Sequence, residues 1–197
     1  MGKISGIIAV CFVLFFMAGV SIGQEQEQEQ DELFNQVEKL KIQRQGYILG
    51  AQLTKAQQAI ATKNPLEAVS KKVFKFRDKN LNVVADKETF RVLVMFEQFE
   101  KLPQQQVQDT LGELFMVYED PTIFAHDKVV YWAWGKKEKF TAAQFDMAKE
   151  KKKKLAIIAT VKFNSEIKIM DKNETQAVGG VYYIISSDPL LKFFHDS

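Results

Sequence analysis

Apolar residues occur along this chain in three patterns: one unbroken run, stripes at helical spacing, and alternation with polar residues. The run comes first. Ile4 to Ile22 holds no charge over 19 residues, with Lys3 ahead of it and the exit Ser21-Ile22-Gly23 at its end. A positive start, an apolar middle from Ile7 to Val20 and small residues at the exit are the layout of an export signal, which predicts a mature chain beginning at Gln24. The competing reading is a retained anchor, because the run approaches the ~20 residues that cross a bilayer as a helix. Under both readings Lys3 stays inside and the acidic stretch after Gly23 passes outside.

Gln24 to Asp31 alternates Gln and Glu and has no apolar surface to bury, which predicts a solvated tether. From Glu32 to Lys63 good helix formers predict a long helix, stopped by Asn64-Pro65. Two apolar stripes run along it on opposite sides. Leu33, Val37, Leu40, Tyr47 and Ala51 form one, and Ile42, Leu49, Leu53, Ala56 and Ile60 the other. They exchange near Gly46, so either the helix breaks there or it is covered on both sides. Gly46 and Gly50 suit a kink or a tight contact.

From Ser70 to Glu97 the period changes to two. Phe74 and Phe76, Leu81 and Val83, then Phe90, Val92, Val94 and Phe96 alternate with mostly polar neighbours, and two polar turns separate them, predicting a three-stranded meander. Thr89 to Glu97 is open to a second reading, a buried helix, because Val92 to Phe96 is apolar throughout. Pro103 opens a helix with Val107, Leu111, Leu114, Phe115 and Tyr118 on one face, ended by Glu119-Asp120-Pro121. Val129 to Trp134 reads as a strand. Thr141 and Gln144 form a capping box that starts a helix from Ala142 to about Lys153. The clearest alternation runs from Leu155 to Ile169 and predicts a long strand with one wet face. It pairs with Val181 to Ser186 across the polar loop Asp171 to Gly180. Pro189 to Phe194 makes a brief terminal helix.

These elements predict an α+β fold: an antiparallel sheet of about five to six strands with helices packed mainly on one face, preceded by the apolar export segment. Residues 1–23 are the signal or anchor, 24–31 the tether and 32–197 a single domain, a size that buries a real core.

Composition narrows the function classes. Removing Lys3 leaves 26 cationic side chains against 25 acidic ones, a balance that predicts no nucleic-acid partner. The one cysteine, Cys11, lies inside the apolar run, so the mature chain has neither disulfide nor thiol chemistry and must hold together by packing, as its sixteen phenylalanines suit. No catalytic or phosphate-binding motif is present, and no spacing predicts a metal or a cofactor. His126, near Glu119, Asp120 and Asp127, is the candidate for metal or acid–base chemistry, and His195, close to the end of the chain, is the weaker one. Asn173-Glu174-Thr175 is a glycosylation acceptor, meaningful in a eukaryotic source.

The basic run Lys151, Lys152, Lys153 and Lys154 lies at the C-terminus of the predicted helix from Ala142, where it complements the helix dipole or meets an anionic partner. Trp132 and Trp134 share one strand face and Tyr131 takes the other, so large rings line both sides. With helices on one side only, the tryptophans become an exposed contact surface. The sequence therefore predicts an exported, non-catalytic binding or accessory protein of the cell envelope. It would be periplasmic or extracellular, or tethered to the membrane by residues 4–22. Its contacts are Trp132, Trp134 and Lys151 to Lys154, and its partner is a lipid or an envelope protein. The alternatives are a membrane-anchored structural or oligomerising protein, and a hydrolase or transferase using His126 with a nearby carboxylate.

Overall fold

The computed structural model describes residues 24–25, 27–68, 70–150, 156–170 and 177–194. Residues 1–23, which carry the export expectation, lie outside that set. Among the described residues no helix is long and apolar enough to cross a membrane.

The first helix, α1, covers residues 27–39. It takes in most of the predicted tether, because Gln and Glu are good helix formers and an exposed turn can extend an amphipathic helix whose Phe34 and Val37 are buried. The single helix predicted over 32–63 is not found. Gln45 and Gly46, both at positive φ (50° and 83°), make the two-residue turn of a small hairpin, β1 (Gln43–Arg44) and β2 (Tyr47–Ile48). Paired positive φ values are what such a turn requires. Gly50, at φ 80°, lies against α1, where an added Cβ would meet the Glu38 nitrogen and the Phe34 oxygen at 3.0 Å. The exchange of stripes at Gly46 is thus the boundary between two elements. Helix α2 (Lys55–Lys63) starts from a Thr54–Gln57 capping box and stops at Asn64, ahead of the proline.

Eight strands form one antiparallel sheet: β3 (Pro65–Leu66), β4 (Val73–Asp78), β5 (Leu81–Asp86), β6 (Val92–Pro103), β7 (Ile123–Ala125), β8 (Val129–Trp134), β9 (Ala159–Ser165) and β10 (Val178–Ser186). Their spatial order is β3-β4-β5-β6-β10-β9-β8-β7. Two four-stranded meanders therefore meet at the β6–β10 pair, and helix α3 (Gln104–Tyr118) connects them. The sheet exceeds the expected five to six strands because β3 and β7 are too short to show a period. Val92 to Phe96 is strand, not helix. Its unbroken apolar run arises because Val92 to Met95 are buried on both faces, with a bulge opposite Val84 and Ala85.

Pro103 precedes the first residue of α3, where a missing N–H costs nothing, and Val107, Leu111, Leu114 and Tyr118 are buried. The Thr141–Gln144 box opens helix α4 (Ala142–Lys149) as predicted. Of the strand expected over 155–169, residue 155 lies outside the described residues and Ala159–Ser165 is strand. There the Ser165 hydroxyl donates to the Ile167 carbonyl at 2.7 Å and turns the chain. Helix α5 (Asp188–Leu191) closes the described chain and buries Leu190.

Register assigns the two faces. Phe76, Val83, Met95, Ile185, Val161 and Trp132 follow one another across β4, β5, β6, β10, β9 and β8. All six are buried in one apolar cluster with Phe34, Tyr47 and Leu114. Beneath this inner face lie α1, the β1–β2 hairpin and α3. The outer face alternates with it.

Candidate functional site

The tryptophans are placed by this alternation. Trp132 is fully buried on the inner face, with the rings of Phe115 and Tyr118 at 5.6 and 5.8 Å and its indole N–H donating to the Glu119 carbonyl at 2.8 Å. It is a core residue, which corrects the expectation of an exposed contact. A buried indole needs an acceptor, and α3 ends where it can supply one. Trp134 is half-buried, edge-on to Tyr118 at 5.9 Å. Lys151 to Lys154 lie outside the described residues.

His126 and Asp127 are turn residues. Both have positive φ (54° and 55°) in the β7–β8 connection, a conformation His and Asp tolerate better than most. His126 is exposed, while the Asp127 carboxylate accepts from the Met170 N–H at 3.1 Å and its carbonyl from the Ile169 N–H at 2.8 Å. That carboxylate is committed to holding a loop. Among the described residues no group of His, Cys, Asp and Glu is placed to hold a metal ion.

Two constellations were not apparent in the sequence. The first is buried under the centre of the inner face. Glu97 on β6 is 1 % exposed and has donors at both oxygens. Gln45 Nε2 donates to Oε1, while the Tyr183 hydroxyl and Arg44 donate to Oε2, the latter at 3.3 Å. Arg44 also reaches Glu113 at 3.2 Å and stacks 5.2 Å from the Tyr183 ring centre. Burial, then the hydrogen bond to Glu97, pushes the Tyr183 hydroxyl well above the usual tyrosine range. Burial works to lower Arg44, but Tyr183, Glu97 and Glu113 outweigh it and its pKa is raised. Burial likewise raises Tyr118, whose hydroxyl donates to the Gln43 carbonyl at 2.8 Å. Each of these side chains is engaged by another part of the chain, through Arg44 Nη1 and Nη2 in the case of the arginine. The network fastens the β1–β2 hairpin to the sheet and occupies both oxygens of Glu97, a side chain with almost no contact with solvent.

The second constellation is open. On the outer face Asn82, Phe96, Ile184, Lys162 and Tyr131 lie in register across β5, β6, β10, β9 and β8. Lys75 on β4 holds its ammonium 5.1 Å from the Phe96 ring centre. Lys162 holds its own 5.5 Å from Tyr131 and 6.0 Å from Tyr182, which is 39 % exposed. Hydrogen bonding with Tyr131 raises Lys162 against the opposing effect of burial, so it stays charged. At the β4–β5 end a cleft of about 480 Å³ is lined by Lys75, Arg77, Lys79, Phe96, Gln98 and Glu100, among others. Helix α4 covers only the far end of this face, where Phe145 packs with Ala133 and Phe140 and lies 6.0 Å from the Tyr131 ring. Tyr131 facing away from the tryptophans was the available signal. What the sequence withheld is that β9 separates β8 from β10 and sets Lys162 between two tyrosines.

No family model, no curated protein and no solved structure matches this chain.

Proposed function

We propose that the protein is an exported, non-catalytic binding protein of the cell envelope and that the outer face of its sheet is the contact surface. The observation that supports this is the set of cations on that face. Lys75, Arg77, Lys79 and Lys162 enter none of the ion pairs among the described residues, which use Arg44, Arg91 and Lys139. Lys75 and Lys162 are instead held against rings. The apolar leader before Gln24 supports export. The non-catalytic reading is supported by the commitment of Glu97 and Asp127 to internal bonds, since a general acid or base must reach the reacting proton.

The test has two parts. N-terminal sequencing of the protein recovered from fractionated host cells is expected to read from Gln24 in an exported fraction. Purified protein is expected to sediment with insoluble envelope material, less so as Lys162→Glu. A cytosolic chain still starting at Met1, or sedimentation unchanged by the substitution, overturns the reading.

A further inference from the structure

We infer that the outer face binds an acidic polysaccharide, a sugar chain bearing carboxylate groups, laid across the strands from β4 to β8. This rests on the binding reading above and names the ligand class. Charge gives the first argument. Arg77 extends from β4 and donates to Asn82 at 3.2 Å, and Lys75 and Lys162 follow across the sheet, neither of them in an ion pair among the described residues. Glu100 is the one acidic residue among the described residues that line the cleft. A ligand that neutralises these cations must carry several negative charges spread over the width of the face. Lys75 on β4 and Lys162 on β9 are four strand spacings of about 4.8 Å apart, about 19 Å, too long for a single small anion and suited to a polymer.

The uncharged groups decide what kind of polymer. Phe96, Ile184 and Tyr182 give a shallow apolar floor, and Gln98 and Asn164 place amides beside it. Pyranose rings present apolar C–H faces and flanking hydroxyls, which match a floor with amide edges. A single-stranded nucleic acid is matched less well, because it stacks successive bases on exposed rings, and of Phe96, Tyr131 and Tyr182 only Tyr182 is exposed. A flat anionic membrane would leave the polar groups between the cations unmatched.

The experiment is calorimetric titration of the purified protein with polygalacturonate, neutral dextran, a single-stranded oligothymidylate and vesicles containing anionic phospholipid. Polygalacturonate is expected to bind, more weakly as salt rises, with dextran silent and the other two at least tenfold weaker. Lys75→Ala/Lys162→Ala is expected to lower polygalacturonate affinity at least tenfold with unchanged thermal unfolding, and Lys162→Arg to retain it. Equal binding of dextran, stronger binding of the oligonucleotide or vesicles, no binding of polygalacturonate, or an indifferent double variant overturns the inference. Sedimentation with host envelope material separates the two proposals. If it persists and depends on Lys162 while polygalacturonate does not bind, the ligand class is wrong and the binding surface stands.

Discussion

Arg44→Ala tests whether the buried network is what fastens the hairpin to the sheet. The substitution removes one exposed contact and one buried one. The Glu113 pair, with its carboxylate 62 % exposed, contributes at most about 1 kcal/mol, as surface pairs do. The Glu97 side of the pair is 2 % exposed against 19 % for Arg44. Stripping one partner from a buried pair costs about 3–5 kcal/mol. Glu97 keeps Gln45 and Tyr183 as donors, and the space left by Arg44 opens towards water. The cost therefore falls towards the ~1.5–3 kcal/mol of a charged hydrogen bond. Arg44 Nε is itself buried without a partner, which also favours the lower figure. A loss of about 2–3 kcal/mol lowers the midpoint by roughly 4–12 °C in a domain of this size.

Glu97→Leu should cost a similar amount, because it orphans the Tyr183 hydroxyl and one side of Arg44. The double variant Arg44→Leu/Glu97→Leu should cost less than the sum of the two by at least about 1 kcal/mol, since contacting residues couple by ~0.5–3 kcal/mol. Urea unfolding followed by far-ultraviolet circular dichroism measures all three. Additive losses, or a loss below about 0.5 kcal/mol for Arg44→Ala, would refute the argument that the pair is coupled and structurally important.

Further outcomes follow from the same geometry. Trp132→Ala should cost about 3–5 kcal/mol in urea unfolding, because it empties a core site, whereas half-buried Trp134→Ala should cost distinctly less; equal costs would contradict the assigned faces. Gly46→Ala should cost about 1–2 kcal/mol for its positive φ alone. Gly50→Ala should cost more, because its new methyl also meets α1 backbone at 3.0 Å, and the reverse ranking in thermal unfolding would exclude the close approach. Tyr47, Tyr118 and Tyr183 have pKa values raised by burial, so the folded state favours their neutral forms. The stability they contribute is complete below the unfolded value of about 10 and is lost as pH rises beyond it. An alkaline titration followed in the tyrosinate band should show these three ionising only with unfolding, and ionisation of all five tyrosines in the folded protein would sink that assignment.

Local signals fixed what depends on neighbours in the chain. The Thr141–Gln144 box, the stop at Asn64-Pro65, the helix after Pro103 and the alternation through Val161 and Phe163 are all present in the structure, because capping, proline sterics and the two-residue period act within a few residues. The sequence also marked Gly46 as the place where two stripes exchange, although helix propensity summed over 32–63 suggested continuity. Turn chemistry at Gln45-Gly46 and the contact of Gly50 with α1 override that propensity, which is a weak prior. Pairings between distant segments were decided only by tertiary structure. The pairing of β9 with β10 was expected, but nothing near Tyr183 indicates that the other edge of β10 lies against β6, and this pairing brings Tyr183 to Glu97, 86 residues away. Packing of α3 buries Trp132 and leaves Tyr131 and Tyr182 on the opposite side of the sheet. Period two shows that a strand has two faces; which face the helices cover depends on where α1 and α3 pack, and so does the location of the candidate site.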